Sequence, residues 1–287
     1  MTISLSGIIN PPIDILGIGV FDGMHLGHQQ IADKCTHLLT FNPHPDLVLQ
    51  KNNTLKRLTT LDELRLLYPN LICLAFTSEI AKLSPEDFLN KVILENLSPS
   101  TIMVGYDFRF GYQSKGTLEL LEKWALSHRI RIKKIKPITK NNIPIKSSAI
   151  RQLIEQKEFN KIIPLLGHDY LIKGHVIKGD NRGKSLGFPT ANLSVPSEKC
   201  LPPTGVYKGY VMTGQHTHDA IVYIGTKSTF GPHDICVEVH ILNQTIQLYG
   251  QDICLYVSQH IREDMTFSCK EDLILQIKQD IQQCYPK

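Results

Sequence analysis

The chain has 287 residues, 42% of them hydrophobic and 20% charged, which excludes disorder throughout, sets a prior of about two domains and allows a sizeable buried core. The formal net charge of +4 is too small for a nucleic-acid coat, which concentrates basic residues on one face, so no nucleic-acid partner is expected. The first Lys or Arg is Lys34, and Asp14 and Asp22 interrupt the apolar stretch around Leu16 to Phe21, so neither a signal peptide nor a membrane span is read and a cytoplasmic chain is expected. Seven cysteines (35, 73, 200, 236, 254, 269 and 284), odd in number and without a CxxC pair, predict free thiols in a reducing compartment.

To about residue 136, strand-length apolar runs alternate with segments of helical period. The strands are expected at Ile13–Phe21, Leu38–Phe41, Leu71–Phe76, Thr101–Val104 and Ile130–Ile135, which argues for a parallel α/β sheet. Ser84 as cap, Pro85 in the first turn and Glu86 and Asp87 behind it predict a helix start after Leu83. The basic run from Arg129 to Lys136 reads as an edge strand whose charges discourage pairing, or as an anion-binding surface. After Arg151–Gln156, Gly and Pro become frequent and β-rich runs follow at Tyr170–Ile177, Val206–Met212, Asp219–Ile224, Ile235–Leu242 and Ile253–Val257. These predict a mostly antiparallel barrel, closed by a helix over Cys269–Cys284 with Leu273, Ile274, Ile277 and Ile281 at helical spacing. Two domains result, 1–155 and 165–287.

Gly19-Val20-Phe21-Asp22-Gly23-Met24-His25-Leu26-Gly27-His28 follows an apolar strand and opens a helix, the place where open α/β sheets bind ligands. Glycines permit close backbone approach, a helix N-terminus favours phosphate, and two histidines three apart lie on one side. A βα turn with merely polar cap residues would account for a lone histidine or a lone GxxxG. The whole string resembles the HxGH signature of nucleotidyltransferases. Thr40-Phe41-Asn42-Pro43-His44-Pro45, Gly105-Tyr106-Asp107-Phe108-Arg109-Phe110-Gly111 and Ser147-Ser148-Ala149-Ile150-Arg151 resemble further segments of the FAD synthetase half of the bacterial bifunctional riboflavin kinase/FAD synthetase family. The resemblance implies a Rossmann-like parallel sheet in which His25, His28 and the loop residues Gly19, Phe21, Asp22, Gly23 and Gly27 meet the phosphates of ATP. Ser147, Ser148 and Arg151 would form a second phosphate clamp, and Asn42 and Asp107 would line the FMN and adenine side. The chain departs from the family by having eleven residues between His28 and Thr40, which requires a short first helix, by Lys146 and Ser148 in the clamp, and by Lys115 near the DFRFG segment.

Gly174-His175-Val176-Ile177-Lys178-Gly179-Asp180-Asn181-Arg182-Gly183 runs into Lys184-Ser185-Leu186-Gly187-Phe188-Pro189-Thr190-Ala191-Asn192. Gly183-Lys184-Ser185 is not a P-loop end, because Gly179 stands one residue too close and Leu-Gly-Phe-Pro follows where a helix should begin. The stretch resembles the riboflavin kinase signature of the same family at every fixed position. That resemblance implies ATP phosphates against Gly179, Arg182, Gly183, Gly187, Phe188 and Pro189, and Mg²⁺ on the hard oxygens of Thr190 and Asn192. Glu238, in an apolar strand, could face outward and be solvated, or sit partly desolvated on the barrel's inner face with a raised pKa. Its segment resembles the one bearing the family's catalytic base. Tyr223-Ile224-Gly225-Thr226-Lys227-Ser228-Thr229-Phe230 lacks the Asn and the Pro that the family shows at positions 223 and 228.

The resemblance thus implies an ATP-dependent enzyme that phosphorylates riboflavin to FMN and adenylylates FMN to FAD, with pyrophosphate released and small molecules as its only partners. A kinase with a demoted nucleotide-binding N-terminal half, and a non-enzymatic flavin or RNA sensor, are the alternatives.

Overall fold

Strands Leu5–Ser6 (β1), Ile15–Ile18 (β2), His37–Asn42 (β3), Leu71–Ala75 (β4), Thr101–Gly105 (β5) and Arg131–Ile135 (β6) form one sheet in the order β1-β4-β3-β2-β5-β6. β2 to β6 are parallel, as the alternation predicts, and β1 pairs antiparallel with β4. The inner strands are apolar almost without a break because both of their faces are covered. Leu16, Ile18, Leu39, Phe41, Ile72 and Leu74 point into one core, and Leu38, Leu71 and Met103 into the other with Ile31 and Leu64. β6 is the sheet edge, which accounts for its basic residues without an anion partner: Lys134 pairs with Glu122 at 2.9 Å. The Ser84 hydroxyl caps its helix by accepting from the Asp87 amide at 3.0 Å. That helix widens to π geometry over Phe88–Leu94 before closing at Glu95–Leu97. A pairing of Thr139–Lys140 (β7) with Ile143–Pro144 (β8) follows β6.

These statements come from a computed structural model that describes residues 3–7, 9, 11–52, 54–140, 143–179, 182–226, 235–244 and 246–285, with Arg182 described by its backbone alone. Asp180 and Asn181 of the glycine-rich signature, and Lys227, Ser228, Thr229 and Phe230, lie outside the described residues. The chain divides into two compact units, 1–147 and 148–287, a division that falls at the start of helix Ser147–Glu155 and not after it. The chain that leaves this helix is fastened to the barrel: Lys157 donates to the Thr204 carbonyl at 2.8 Å and pairs with Glu263, and Phe159 packs edge-on against Tyr207.

In the second unit, Tyr170–Ile177 (β9), Ala191–Ser194 (β10), Gly205–Thr213 (β11), His216–Thr226 (β12), Ile235–Ile241 (β13) and Asp252–Arg262 (β14) close a barrel in the order β10-β13-β12-β11-β14-β9. Every pairing is antiparallel. β10 escapes the hydrophobic pattern because it is only four residues long and half polar. The interior is filled by Ile172, Val176, Val222, Val237, Val239 and Leu255, all fully buried. Facing the other way, Ile177, Asn192, Glu238, Tyr223, Val206 and Arg262 form a row of directly opposed cross-strand neighbours around the outer wall.

Helix Lys270–Cys284 covers part of that wall, with Ile281 packed on Val206, Ile221 and Leu242. Asp280, 1% exposed, takes both oxygens to Arg262: Nε lies 3.0 Å from each and a terminal nitrogen 2.9 Å from one. Removing one partner leaves the other charge half-buried and unpaired. Asp280→Ala is therefore expected to destabilise the barrel unit by about 3 kcal/mol. Urea unfolding followed by far-ultraviolet circular dichroism should show the earlier transition, while fluorescence of the single tryptophan, Trp124 in the first unit, keeps its midpoint.

Candidate functional site

β2 hands the chain to a loop in which Phe21, Gly23 and Met24 all have positive φ (55°, 89° and 41°). Two of these are not glycine, so the surroundings must hold the backbone there. Asp22 is turned inward, 2% exposed, and accepts from the Thr59 amide at 3.1 Å. The Thr59 hydroxyl in turn accepts from the Gly23 amide at 3.1 Å. Thr40 donates to the Val20 carbonyl at 2.9 Å and Ser147 to the Asp22 carbonyl at 2.7 Å. Phe21 and Asp22 therefore shape the loop from inside, with Gly19 leaving room for the Phe21 ring. Thr40, Thr59 and Ser147 act as its clamps. Thr59 gives no sequence signal beyond its place before a capping box.

The loop delivers His25 to the N-cap of helix Leu26–Ala32, seven residues long, the short first helix that the spacing requires. Residues 19–36 complete the crossover from β2 to its parallel neighbour β3. The His25 and His28 rings stack with centroids 3.7 Å apart and an 18° interplanar angle, and the Phe21 edge meets His28. Gly27 keeps the space beside His25 clear, since a Cβ there would lie 3.2 Å from the ring. Burial lowers the His25 pKa to about 4, opposed first by a hydrogen bond with its own backbone and then by Asp107. Burial, then the His25 neighbour, hold His28 well below its ordinary value. Both imidazoles are neutral at pH 7, and Nδ1 of each is covered without a protein partner among the described residues. The pair can offer hydrogen bonds to an anion but not a full positive charge.

Asn42 ends β3 and its amide oxygen accepts from the Arg57 guanidinium at 3.0 Å. Arg57 is 1% exposed, and its Nε and remaining amino group find no partner among the described residues. Asp107 is exposed at the turn after β5, near enough to bias His25. Beside them opens a cavity of about 590 Å³ whose walls include Gly19, Val20, Phe41, Phe76, Phe88, Phe108 and Phe110. Sequence reasoning missed it. The signal was an aromatic residue at or just past the carboxyl end of β3, β4 and β5, where open parallel sheets take ligands. Ser148, exposed, and Arg151, half-buried, stand three residues apart on one face of helix Ser147–Glu155.

In the second unit the glycine-rich signature makes a helical turn over Arg182–Ser185, after which the Phe188 amide returns to the Gly183 carbonyl at 2.8 Å. A Cβ on Gly183 would strike the Phe188 carbonyl, and one on Gly179 the Asn192 amide. Gly187, at φ 88°, closes the turn. The Thr190 hydroxyl donates to Glu238 at 3.0 Å, and Asn192 lies directly across from Glu238 on the neighbouring strand. Glu238 is not on the barrel's inner face. The buried Val237 and Val239 take that face, so alternation turns Glu238 outward. It is nonetheless half-buried, because the Gly183–Phe188 turn and the C-terminal helix contribute to a cavity of about 350 Å³ over it. That cavity is mostly apolar, lined by Leu186, Phe188, Val206, Tyr223, Met265 and Ile277 among others. A second cavity of about 600 Å³ holds Lys178, Gly179, Lys184, Pro189 and Tyr249 in its wall. Thr190 lines both. The oxygens of Thr190, Asn192 and Glu238 are of the hard type that suits Mg²⁺, and few protein ligands are needed when phosphates supply the rest. Among the described residues there is no cluster of three or more His, Cys, Asp or Glu able to hold a metal alone.

A parallel sheet with a histidine pair at the loop that opens its first helix, followed by a barrel with paired cavities, is the arrangement of a two-unit nucleotide-dependent transferase. A family model described as FAD synthetase matches residues 10–149, and one described as riboflavin kinase matches residues 166–286. The bifunctional riboflavin kinase/FMN adenylyltransferase of Buchnera aphidicola subsp. Acyrthosiphon pisum is 33% identical over 93% of this chain and 91% of its own. That of Listeria monocytogenes is 31% identical over 93% and 90%. The chain belongs to the family of bifunctional riboflavin kinase/FMN adenylyltransferases. A crystal structure of a macrolide-efflux protein from Streptococcus pneumoniae shares the fold, with a TM-score of 0.83 and 26% identity over 96% of this chain and 94% of that one. No helix among the described residues here is long and apolar enough to cross a membrane.

The neutral histidine pair has a pH signature. Because the folded state resists protonation, an unfolded chain binds protons below about pH 6.5 that the folded one does not, and stability falls toward pH 4. The urea midpoint reported by Trp124 should drop between pH 6.5 and 4, and less so in His25→Gln. FAD formation should cross pH 6.5 without a histidine inflection; a step there would contradict the neutral pair.

Proposed function

We infer that the units work in series: residues 165–287 transfer the γ-phosphoryl group of ATP to the ribityl 5′ hydroxyl of riboflavin, and residues 1–155 join the resulting FMN to AMP. The observation that carries the first half is Thr190, which lines both barrel cavities and donates to Glu238. ATP occupies the cavity with Lys178, Gly179 and Lys184, its phosphates against the Gly179–Pro189 backbone and Arg182; the flavin ring takes the apolar cavity. Glu238 accepts the proton of the ribityl hydroxyl as its oxygen bonds to the γ-phosphorus and the bond to the ADP oxygen breaks. Thr190 and Asn192 would hold Mg²⁺ carried in on ATP, which would supply neutralising charge to the phosphate oxygens.

In the first unit the nucleophile is the FMN phosphate, already an anion, so no base is required. Its oxygen bonds to the α-phosphorus of ATP and pyrophosphate departs. His25 and His28 donate hydrogen bonds where negative charge accumulates, and Ser147, Ser148 and Arg151 clamp the phosphates from the other side. Phe21, Asp22, Gly23 and Gly27 hold the loop that places the histidines. The aromatic cavity takes the flavin ring, with Asn42 and Asp107 at the FMN and adenine side. The reading places the chain in the cytoplasm, where its thiols stay reduced; burial pushes Cys35 up to about 12 and Cys284 up to about 11, which keeps both protonated.

Riboflavin, ATP and Mg²⁺ incubated with the full chain should give FMN and then FAD on chromatography; FMN alone would favour the kinase-only alternative. Glu238→Gln should cut FMN formation by about 10²–10⁴-fold and spare FAD synthesis from supplied FMN. His28→Ala should cut FAD synthesis by about 10²–10³-fold and spare the kinase. Loss of both activities in either folded variant would sink the assignment of separate sites. Thr190→Ala combined with Asn192→Ala should raise the Mg²⁺ concentration that the kinase needs, and unchanged activity at limiting Mg²⁺ would remove both as ligands.

A further inference from the structure

Tyr223 stands at the position where the resemblance predicts Asn, and the structure gives it a partner that an Asn side chain is too short to reach. Its hydroxyl donates to the Asp264 carboxylate at 3.2 Å, while the other Asp264 oxygen accepts from the Met265 amide at 2.9 Å. Asp264 belongs to the stretch 263–269 that links β14 to the C-terminal helix, and Asp264, Met265 and Phe267 are one wall of the apolar cavity. The same stretch is fastened at its other side by Arg262, which donates to the Glu263 carbonyl at 2.8 Å and lies 5.9 Å from the Phe267 ring centre. Tyr223 also sits directly across the strand pair from Glu238, and its ring covers Gly225, where any Cβ would strike it. Burial and the adjoining Asp264 push its pKa up to about 12, so the hydroxyl keeps its proton to donate.

We propose that Tyr223 is a positioning residue of the kinase cavity: its hydroxyl ties Asp264, and with it the wall of residues 264–267, at the distance from Glu238 that holds the flavin acceptor. The inference rests on the apolar cavity over Glu238 being the riboflavin site. The bond is made to a ground-state wall and not to the reacting atoms. Losing it therefore weakens acceptor binding in the ground and transition states alike, a KM effect without a kcat effect.

The test uses the full chain with Tyr223→Phe, which removes one oxygen and leaves the ring on Gly225. The KM for riboflavin should rise about five- to tenfold, as expected for losing a half-exposed hydrogen bond to a carboxylate. The kcat for FMN formation, the KM for ATP and FAD synthesis from supplied FMN should each stay within about twofold. Asp264→Ala should reproduce the change and add nothing to Tyr223→Phe in the double variant, while Asp264→Asn, which can still accept the bond, should restore most of the affinity. Glu238→Gln is measured alongside. If it leaves FMN formation intact, the cavity reading itself fails. If it abolishes FMN formation while Tyr223→Phe leaves the riboflavin KM unchanged, or lowers kcat alone, the role given to Tyr223 is overturned.

Discussion

A closed six-stranded barrel packs the inward side of its strands with Val, Ile and Leu, and this one constraint turns the row that carries Glu238 outward. Glu238 and its row stand on the outer wall, where strand alternation sets each side chain beside a cross-strand neighbour. Asn192, Glu238, Tyr223 and Arg262 thus fall into one row because of antiparallel register alone. An outer wall faces water, however, so a site there needs a cover. The helix after β14 supplies it, and the Arg262–Asp280 ion pair fixes that helix to the same row that carries Glu238.

The first unit meets the opposite problem. A parallel sheet with covered faces presents its ligand site at the strand ends, and the loop there must be rigid without regular hydrogen bonding. Rigidity comes from side chains reaching in from distant segments: Thr40 from β3, Thr59 from the stretch before a helix, Ser147 from the end of the unit. Buried in that frame, the two histidines stay neutral, and a stacked pair 3.7 Å apart could not hold two charges without repulsion.

Much of this was legible in the chain. The five parallel strands, the capped start at Ser84, the charged edge strand, the barrel and its terminal helix all follow from period and punctuation, and the motif strings fall at the loop after β2 and beside the barrel cavities. What escaped depends on tertiary neighbours. Alternation alone put Glu238 outward, but neither it nor the motif could say that a helix beginning at Lys270 would cover it. Asp280 sits among apolar positions of that helix and looks like a break in the stripe until Arg262 is seen beneath it. The aromatic cavity draws one or two residues from each of several strands, so no window of sequence contains it. Ile13–Phe21 read as one strand because its apolar run continues to Phe21, whereas positive φ at Phe21 has already ended the extended path.

Thr190 forms part of the wall of both barrel cavities, and a single side chain between two compartments works as a partition as well as a ligand. A phosphoryl group bound on one side has a rival acceptor whenever the other side holds only solvent, since water is itself a hydroxyl. The apolar lining of the cavity proposed for the flavin makes it a poor host for ordered water and so disfavours that rival. On the proposed reading, the residues that line the acceptor's slot also shield the nucleotide from idle hydrolysis, and the ATP lost without acceptor depends on how dry that compartment stays.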